Sequence, residues 1–187
     1  MEVSKTDLEG VLIIEPRVFA DDRGFFMETY NRDRYVQSGI AEVFIQDNVS
    51  VSKKGTLRGL HYQAPPFAQG KLIQVVRGSV LDVAVDVRFG SPTFGKHVSI
   101  ELSAENKKQF FIPAGFAHGF VALEDDTIFS YKCTNLYSPE CDRGVLWSDA
   151  QIGIDWPFPE SELLISEKDR KQPLLKDIAE EFVFGVR

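Results

Sequence analysis

Three stretches near the middle of the chain alternate apolar and polar side chains with a period of two residues. That period belongs to strands that bury one face. In Ser79–Val87, Leu81, Val83, Val85 and Val87 fall on one face and Asp82 and Asp86 on the other. In Lys96–Ser103, Val98, Ile100 and Leu102 oppose His97, Ser99 and Glu101. In Thr127–Cys133, Phe129, Tyr131 and Cys133 oppose Ser130 and Lys132. Further strands are expected over Val11–Glu15, Gly24–Thr29, Val43–Ser52, Leu57–Gln63, Lys71–Val76, Gln109–Ile112 and Gly119–Leu123. Turn signals separate them, at Lys54-Gly55, Arg77-Gly78, Gly90-Ser91-Pro92 and Asp125-Asp126. One short helix is predicted over Arg32–Ser38, with Asn31 as its N-cap and Gly39 just past its end. The C-terminal segment mixes Pro157, Pro159 and Pro173 with short helical patterns. About ten strands with few helices predict an all-β sandwich or barrel. A double-sheet jelly roll with a few short peripheral helices suits that count, and its two sheets can enclose a ligand pocket.

With 187 residues, 43% of them apolar and 26% charged, the chain is expected to fold as one domain, residues 1–187, around a substantial core. A net charge of −7 argues against nonspecific nucleic-acid binding, while a local basic pocket for a small anion remains open. No apolar run approaches the roughly 20 residues of a membrane span, and Met1-Glu2-Val3-Ser4-Lys5 does not read as a signal peptide. Two cysteines, Cys133 and Cys141, are too few for a stapled scaffold and predict a reducing, cytoplasmic setting.

The sequence holds three histidines. His97 shares the polar parity of Ser99 and Glu101 and is expected to face solvent. His61, in Arg58-Gly59-Leu60-His61-Tyr62-Gln63, and His118, in Pro113-Ala114-Gly115-Phe116-Ala117-His118-Gly119, lie among apolar residues and glycine and are expected to point inward. Each either satisfies a core hydrogen bond or carries chemistry.

Pro-x-Gly-x-x-His late in a small all-β chain resembles the second half of the cupin signature. Metal cupins open theirs with His-x-His and a glutamate, whereas this chain reads His61-Tyr62-Gln63, with Lys71 following. Two imidazoles and a lysine make a poor cation site, so a cupin without metal or other cofactor is expected. The resemblance then narrows. Arg23-Gly24-Phe25-Phe26-Met27-Glu28, Gln46-Asp47-Asn48, Arg58 to Gln63, Gly70-Lys71, Val75-Val76-Arg77-Gly78, Pro113 to Phe120 and Ser166-Glu167-Lys168-Asp169 occur in the order of the dTDP-4-dehydrorhamnose 3,5-epimerase family. The resemblance covers nearly the whole chain. It implies a metal-free homodimeric cupin that inverts C3 and C5 of a 4-keto-6-deoxyhexose attached to dTDP.

Inverting a carbon beside a ketone requires a base, an acid on the opposite face and a group that holds the enolate oxygen. An imidazole titrates near neutrality, so His61 suits the base. The resemblance supplies Asp169 as its partner; read alone, Asp169 is a solvated charge in Glu167-Lys168-Asp169-Arg170. Tyr131 has inward parity, either as a core aromatic or, as the resemblance implies, the acid. Lys71 is either a strand-edge lysine or an oxyanion holder. Arg58 and Arg23 are candidates for a diphosphate. Arg58 and His61 are three positions apart, which a regular strand would put on opposite faces, and a bulge at Gly59 would restore a common side. By resemblance, Arg23, Phe26 and Glu28 serve the neighbouring subunit's site. Gln46, Asp47, Asn48, His118, Tyr137, Asp142 and Lys168 complete the substrate-binding set by the same resemblance, Asp142 standing where that family usually has glutamate. Rival readings on this scaffold are a 3-epimerase, a 3,4-ketoisomerase and a non-catalytic sugar-nucleotide binder. A metal-dependent dioxygenase is disfavoured by the missing second histidine and glutamate.

Overall fold

The structure, a computed structural model, describes residues 1–185. Along the chain run β1 (Glu2–Lys5), β2 (Leu12–Glu15), β3 (Val18–Asp21), β4 (Gly24–Met27) and helix α1 (Arg32–Gln37). There follow β5 (Gln46–Ser52), β6 (Thr56–Gln63), β7 (Lys71–Arg77), β8 (Ser79–Asp86), β9 (His97–Ser103) and β10 (Gln109–Ile112). Last come β11 (Phe116–Ala122), β12 (Thr127–Cys133), β13 (Asp142–Gly144), β14 (Leu164–Ile165) and the one-turn helix α2 (Glu167–Arg170).

Two sheets face each other. One has the order β1-β2-β10-β7-β12-β5 and the other β13-β6-β11-β8-β9, with β14 lying parallel beside β6. β3 and β4 form a separate hairpin. This is the all-β jelly roll expected from the alternation. Between the sheets, Val75, Phe110, Ile112 and Phe129 of the first pack with Val80, Ala84, Leu102, Phe116 and Phe120 of the second. Each such side chain contributes roughly 1.5–3 kcal/mol on leaving water.

The alternation in β8 has a cause its sequence does not reveal. Val83, Val85 and Val87 form the outer face of their sheet, and Val145, Ile152, Leu175 and Ile178 from the C-terminal segment cover it. The strand is therefore buried on both sides, and Asp82 and Asp86 are fully buried. Asp86 accepts hydrogen bonds from Arg88, Ser91 and Thr93. Asp82 looks into the space between the sheets. His97, on the edge strand β9, stays partly exposed.

α1 begins at Asn31, whose side chain accepts from the Arg34 N–H at 3.3 Å. β11 starts at Phe116, earlier than expected, so His118 sits within a paired strand. β5 starts only at Gln46, leaving residues 43–45 outside it. β1, β3, β13 and β14 are additions to the expected set. Among the described residues no helix is long and apolar enough to cross a membrane, and Cys133 and Cys141 are both free.

The expected irregularity at Gly59 is present. His118 pairs with His61, but Phe120 pairs with Arg58, so a two-residue step on β11 faces a three-residue step on β6. Gly59 has a φ of +126°, and a Cβ built there would lie 2.6 Å from the Gly119 Cα. Arg58 and His61 thereby come to line the same cavity.

Candidate active site

A cavity of about 480 Å³ opens between the two sheets. β6 and β11 of one sheet bring Arg58, His61 and His118 to its wall, and β7 and β12 of the other bring Lys71 and Tyr131. Asn48 from β5, and Lys168 and Asp169 from α2, complete it. His61 and Tyr131 thus come from opposing sheets.

Asp169 Oδ1 lies 2.5 Å from His61 Nε2, and only 3% of the residue is exposed. Its placement follows from a short cap: the Ser166 hydroxyl accepts the Asp169 N–H at 3.1 Å and starts α2. Burial alone would raise the Asp169 pKa, but the hydrogen bond and charge of His61, with help from the Gly59 N–H and Ser166, hold it below the usual carboxylate value. The carboxylate fixes the ring through Nε2, which leaves Nδ1 without a protein partner among the described residues.

A second histidine–carboxylate pair sits deeper. His118 Nε2 is 3.0 and 3.1 Å from the two Asp82 oxygens. Desolvation dominates both groups, lowering the His118 pKa and raising that of Asp82. The His118 ring stacks on Phe129 with centroids 6.1 Å apart. Lys71 Nζ reaches the His61 carbonyl at 3.5 Å, and burial pulls its pKa down despite nearby Cys133 and Asp82. Burial raises the Tyr131 pKa, which keeps the phenol a proton donor.

Gln46, Tyr137 and Asp142 do not line the cavity but adjoin it: the Tyr137 hydroxyl donates to Asp142 at 3.0 Å, and Lys168, which does line it, pairs with the same carboxylate. Gln46 Oε1 accepts the Tyr137 N–H at 2.8 Å. Asn48 Nδ2 contacts Cys133 Sγ at 3.6 Å. Asp47 is not with them: strand parity turns it to the exposed face, where it pairs with Lys132 at 3.0 Å. Arg23, Phe26 and Glu28 do not reach the cavity of their own chain either. Arg23 pairs with Asp21 at 2.6 Å and Glu28 with Arg34 at 2.9 Å, while Phe26 is 68% exposed. Among the described residues no three His, Cys, Asp or Glu side chains converge as a metal-binding group.

Residues 5–177 match the family model described as dTDP-4-dehydrorhamnose 3,5-epimerase. The chain belongs to that family. A dTDP-4-dehydrorhamnose 3,5-epimerase of Shigella flexneri is 55% identical over 170 residues, 90% of this chain and 93% of the relative. The crystal structure of the 3,5-epimerase of Legionella pneumophila in complex with dTDP-4-keto-L-rhamnose is 46% identical, covers 99% of both chains and superposes with a TM-score of 0.95. A 3′-monoepimerase of Streptomyces bikiniensis, solved with dTDP-quinovose, is 36% identical over 91% of this chain and 86% of its own, with a TM-score of 0.86.

In this 3,5-epimerase family member, two buried site residues escaped the sequence reading. Asp82 was visible only as a polar position in an apolar strand. Gln63 is 4% exposed and holds the loop that carries Tyr137, donating to the carbonyls of Phe67 and Leu136 and accepting the Ser138 N–H at 2.7 Å. An amide ending a buried strand was the available signal.

Proposed function

We propose that this chain is an isomerase that inverts C3 and C5 of dTDP-4-dehydro-6-deoxy-D-glucose to give dTDP-4-dehydro-L-rhamnose. The observation that carries this reading is the His61–Asp169 pair on one wall of a cavity whose opposite sheet supplies Tyr131 and Lys71. C3 and C5 both flank the C4 carbonyl, so one oxyanion site serves both inversions. His61 removes the proton from the carbon, and the electron pair passes to the C4 oxygen. The Lys71 ammonium stabilises that oxyanion, and His118, held by Asp82, lines the wall beside it. Tyr131 returns a proton to the opposite face, and proton exchange with solvent resets both groups. Arg58 holds the diphosphate, and Gln46, Asn48, Tyr137, Asp142 and Lys168 hold the nucleoside end. A cytoplasmic setting belongs to the same proposal and is supported by the two free thiols.

Incubation with the 4-keto sugar nucleotide in D₂O, followed by NMR, tests the reaction. Deuterium is expected at both C3 and C5. Label at C3 alone would make the protein a 3-epimerase, and no label would leave a binding protein.

The enzyme is further proposed to act as a homodimer in which the β3–β4 hairpin completes the other copy's site. Phe19, Phe25 and Phe26 on that hairpin are each at least half exposed, an apolar surface a second copy would cover. Arg23 at its tip would add a second guanidinium to the diphosphate. Mixing two inactive variants, Arg23→Ala and His61→Ala, under subunit exchange should then restore about a quarter of wild-type activity, because half the dimers carry one intact site. Mixtures no more active than their parts would refute the sharing.

A further inference from the structure

We infer that Gln63 is a positioning residue for nucleotide binding: its side-chain amide stands in for a missing strand beside Tyr137 and so presents that ring to the nucleoside. The inference rests on the role given to Tyr137 above. Residues 134–138 run outside every strand, so their backbone groups have no ladder to bond to. The Leu136 carbonyl accepts from Gln63 Nε2 at 3.0 Å, and the Ser138 N–H donates to Gln63 Oε1 at 2.7 Å. One amide thus meets the carbonyl before Tyr137 and the N–H after it, the two bonds a neighbouring strand would supply. The second Nε2 hydrogen goes to the Phe67 carbonyl at 2.7 Å. Two carbonyls and one N–H call for two donors and one acceptor, which a carboxamide carries at one tip. Turned over, the amide would set its oxygen against two carbonyls.

Tyr137 is 55% exposed, too open for packing to fix it. Its N–H goes to Gln46 and its hydroxyl to Asp142. Asp142 is in turn the residue paired with Gln63 across β13 and β6. Gln63 therefore sits by its backbone beside the carboxylate that holds the Tyr137 ring and by its side chain beside the Tyr137 main chain. Without the amide, the Leu136, Phe67 and Ser138 groups lose their partners, the loop shifts to find water, and the ring shifts with it. The proton-transfer groups draw on none of these bonds. His61 is held by Asp169, and Gly70, which precedes Lys71, donates separately to the Thr134 hydroxyl at 2.7 Å.

Calorimetric titration with dTDP over a double-mutant cycle of Gln63→Met and Tyr137→Ala tests this. Gln63→Met keeps the length of the side chain and removes its hydrogen bonds. Alone it should raise the dTDP Kd about tenfold, and turnover should show the loss in KM with kcat little altered. In the Tyr137→Ala background the same change should add less than about twofold, because the ring it positions is gone. Gln63→Glu gives a second readout. Ionised, its carboxylate faces two carbonyls with no proton to offer; protonated, it donates one and still accepts the Ser138 N–H. Its KM, taken relative to wild type at each pH, should fall as the solution is acidified, which a packing defect would not do. Equal losses with and without Tyr137, an unchanged dTDP affinity in Gln63→Met, or a Gln63→Glu ratio that ignores pH overturns the assignment. If Gln63→Met does not fold by circular dichroism, Gln63→Glu takes its place in the cycle. Wild-type label transfer is read separately. A chain that binds dTDP but incorporates no deuterium loses the epimerase reading and leaves the cycle to judge Gln63; one that binds no dTDP loses both.

Discussion

His61→Ala is expected to lower kcat by about 10²–10⁴-fold, the usual contribution of a positioned general base, and to stop deuterium entry at C3 and C5 together. Both positions fail because one imidazole serves both carbons beside the same carbonyl. dTDP affinity should stay within a few-fold of wild type, since Arg58 and the nucleoside contacts remain. The side chain is 32% exposed, so its removal leaves no sealed void, and the fold should persist by circular dichroism. Asp169 would feel the change: without the hydrogen bond and charge of His61, only the Gly59 and Ser166 contacts still oppose burial, and its pKa moves upward. Deuterium wash-in at the wild-type rate in this variant would remove His61 from the mechanism.

Gly59→Ala is expected to damage stability and activity at once. A Cβ at this position meets the Gly119 Cα at 2.6 Å and the His118 carbonyl oxygen at 2.8 Å, which are backbone atoms that cannot swing aside. The φ of +126° adds strain for any residue with a side chain. Strain and overpacking together should cost roughly 2–6 kcal/mol, lowering the melting temperature on the order of 10 °C. The folded fraction should still turn over poorly, because the bulge is what puts Arg58 and His61 on one wall. A variant with wild-type melting temperature and full activity would show that the bulge is dispensable.

What the sequence made legible was what local chemistry controls. β10 and β12 have the bounds expected of them, β12 from its alternation, and Tyr131 lies on the inward face its parity assigns. The Asn31 cap was readable because it rests on a backbone N–H three residues along, and the Gly59 irregularity because Arg58 and His61, three positions apart, needed a common side. β1 carries Glu2, Ser4 and Lys5 and gives no apolar period, so only its pairing with β2 makes it a strand. β13 and β14 are too short for any periodicity. Asp169 illustrates the limit: among charged neighbours it reads as a solvated side chain, and only the docking of α2 against β6 buries it beside His61. Asp82 was hidden for the opposite reason. The C-terminal segment covers the apolar face of β8, so the polar face that looked external became the lining of the interior.

His61 and Asp169, the pair proposed to form the base, are 108 positions apart in the chain. A ribosome that has finished the β-rich body has therefore made an imidazole with no carboxylate beside it. The base is completed only when the late-emerging tail arrives and docks. Polypeptides stalled or clipped before Asp169 are expected to be inert toward the sugar nucleotide, so turnover reports that the chain has been made and docked as far as α2.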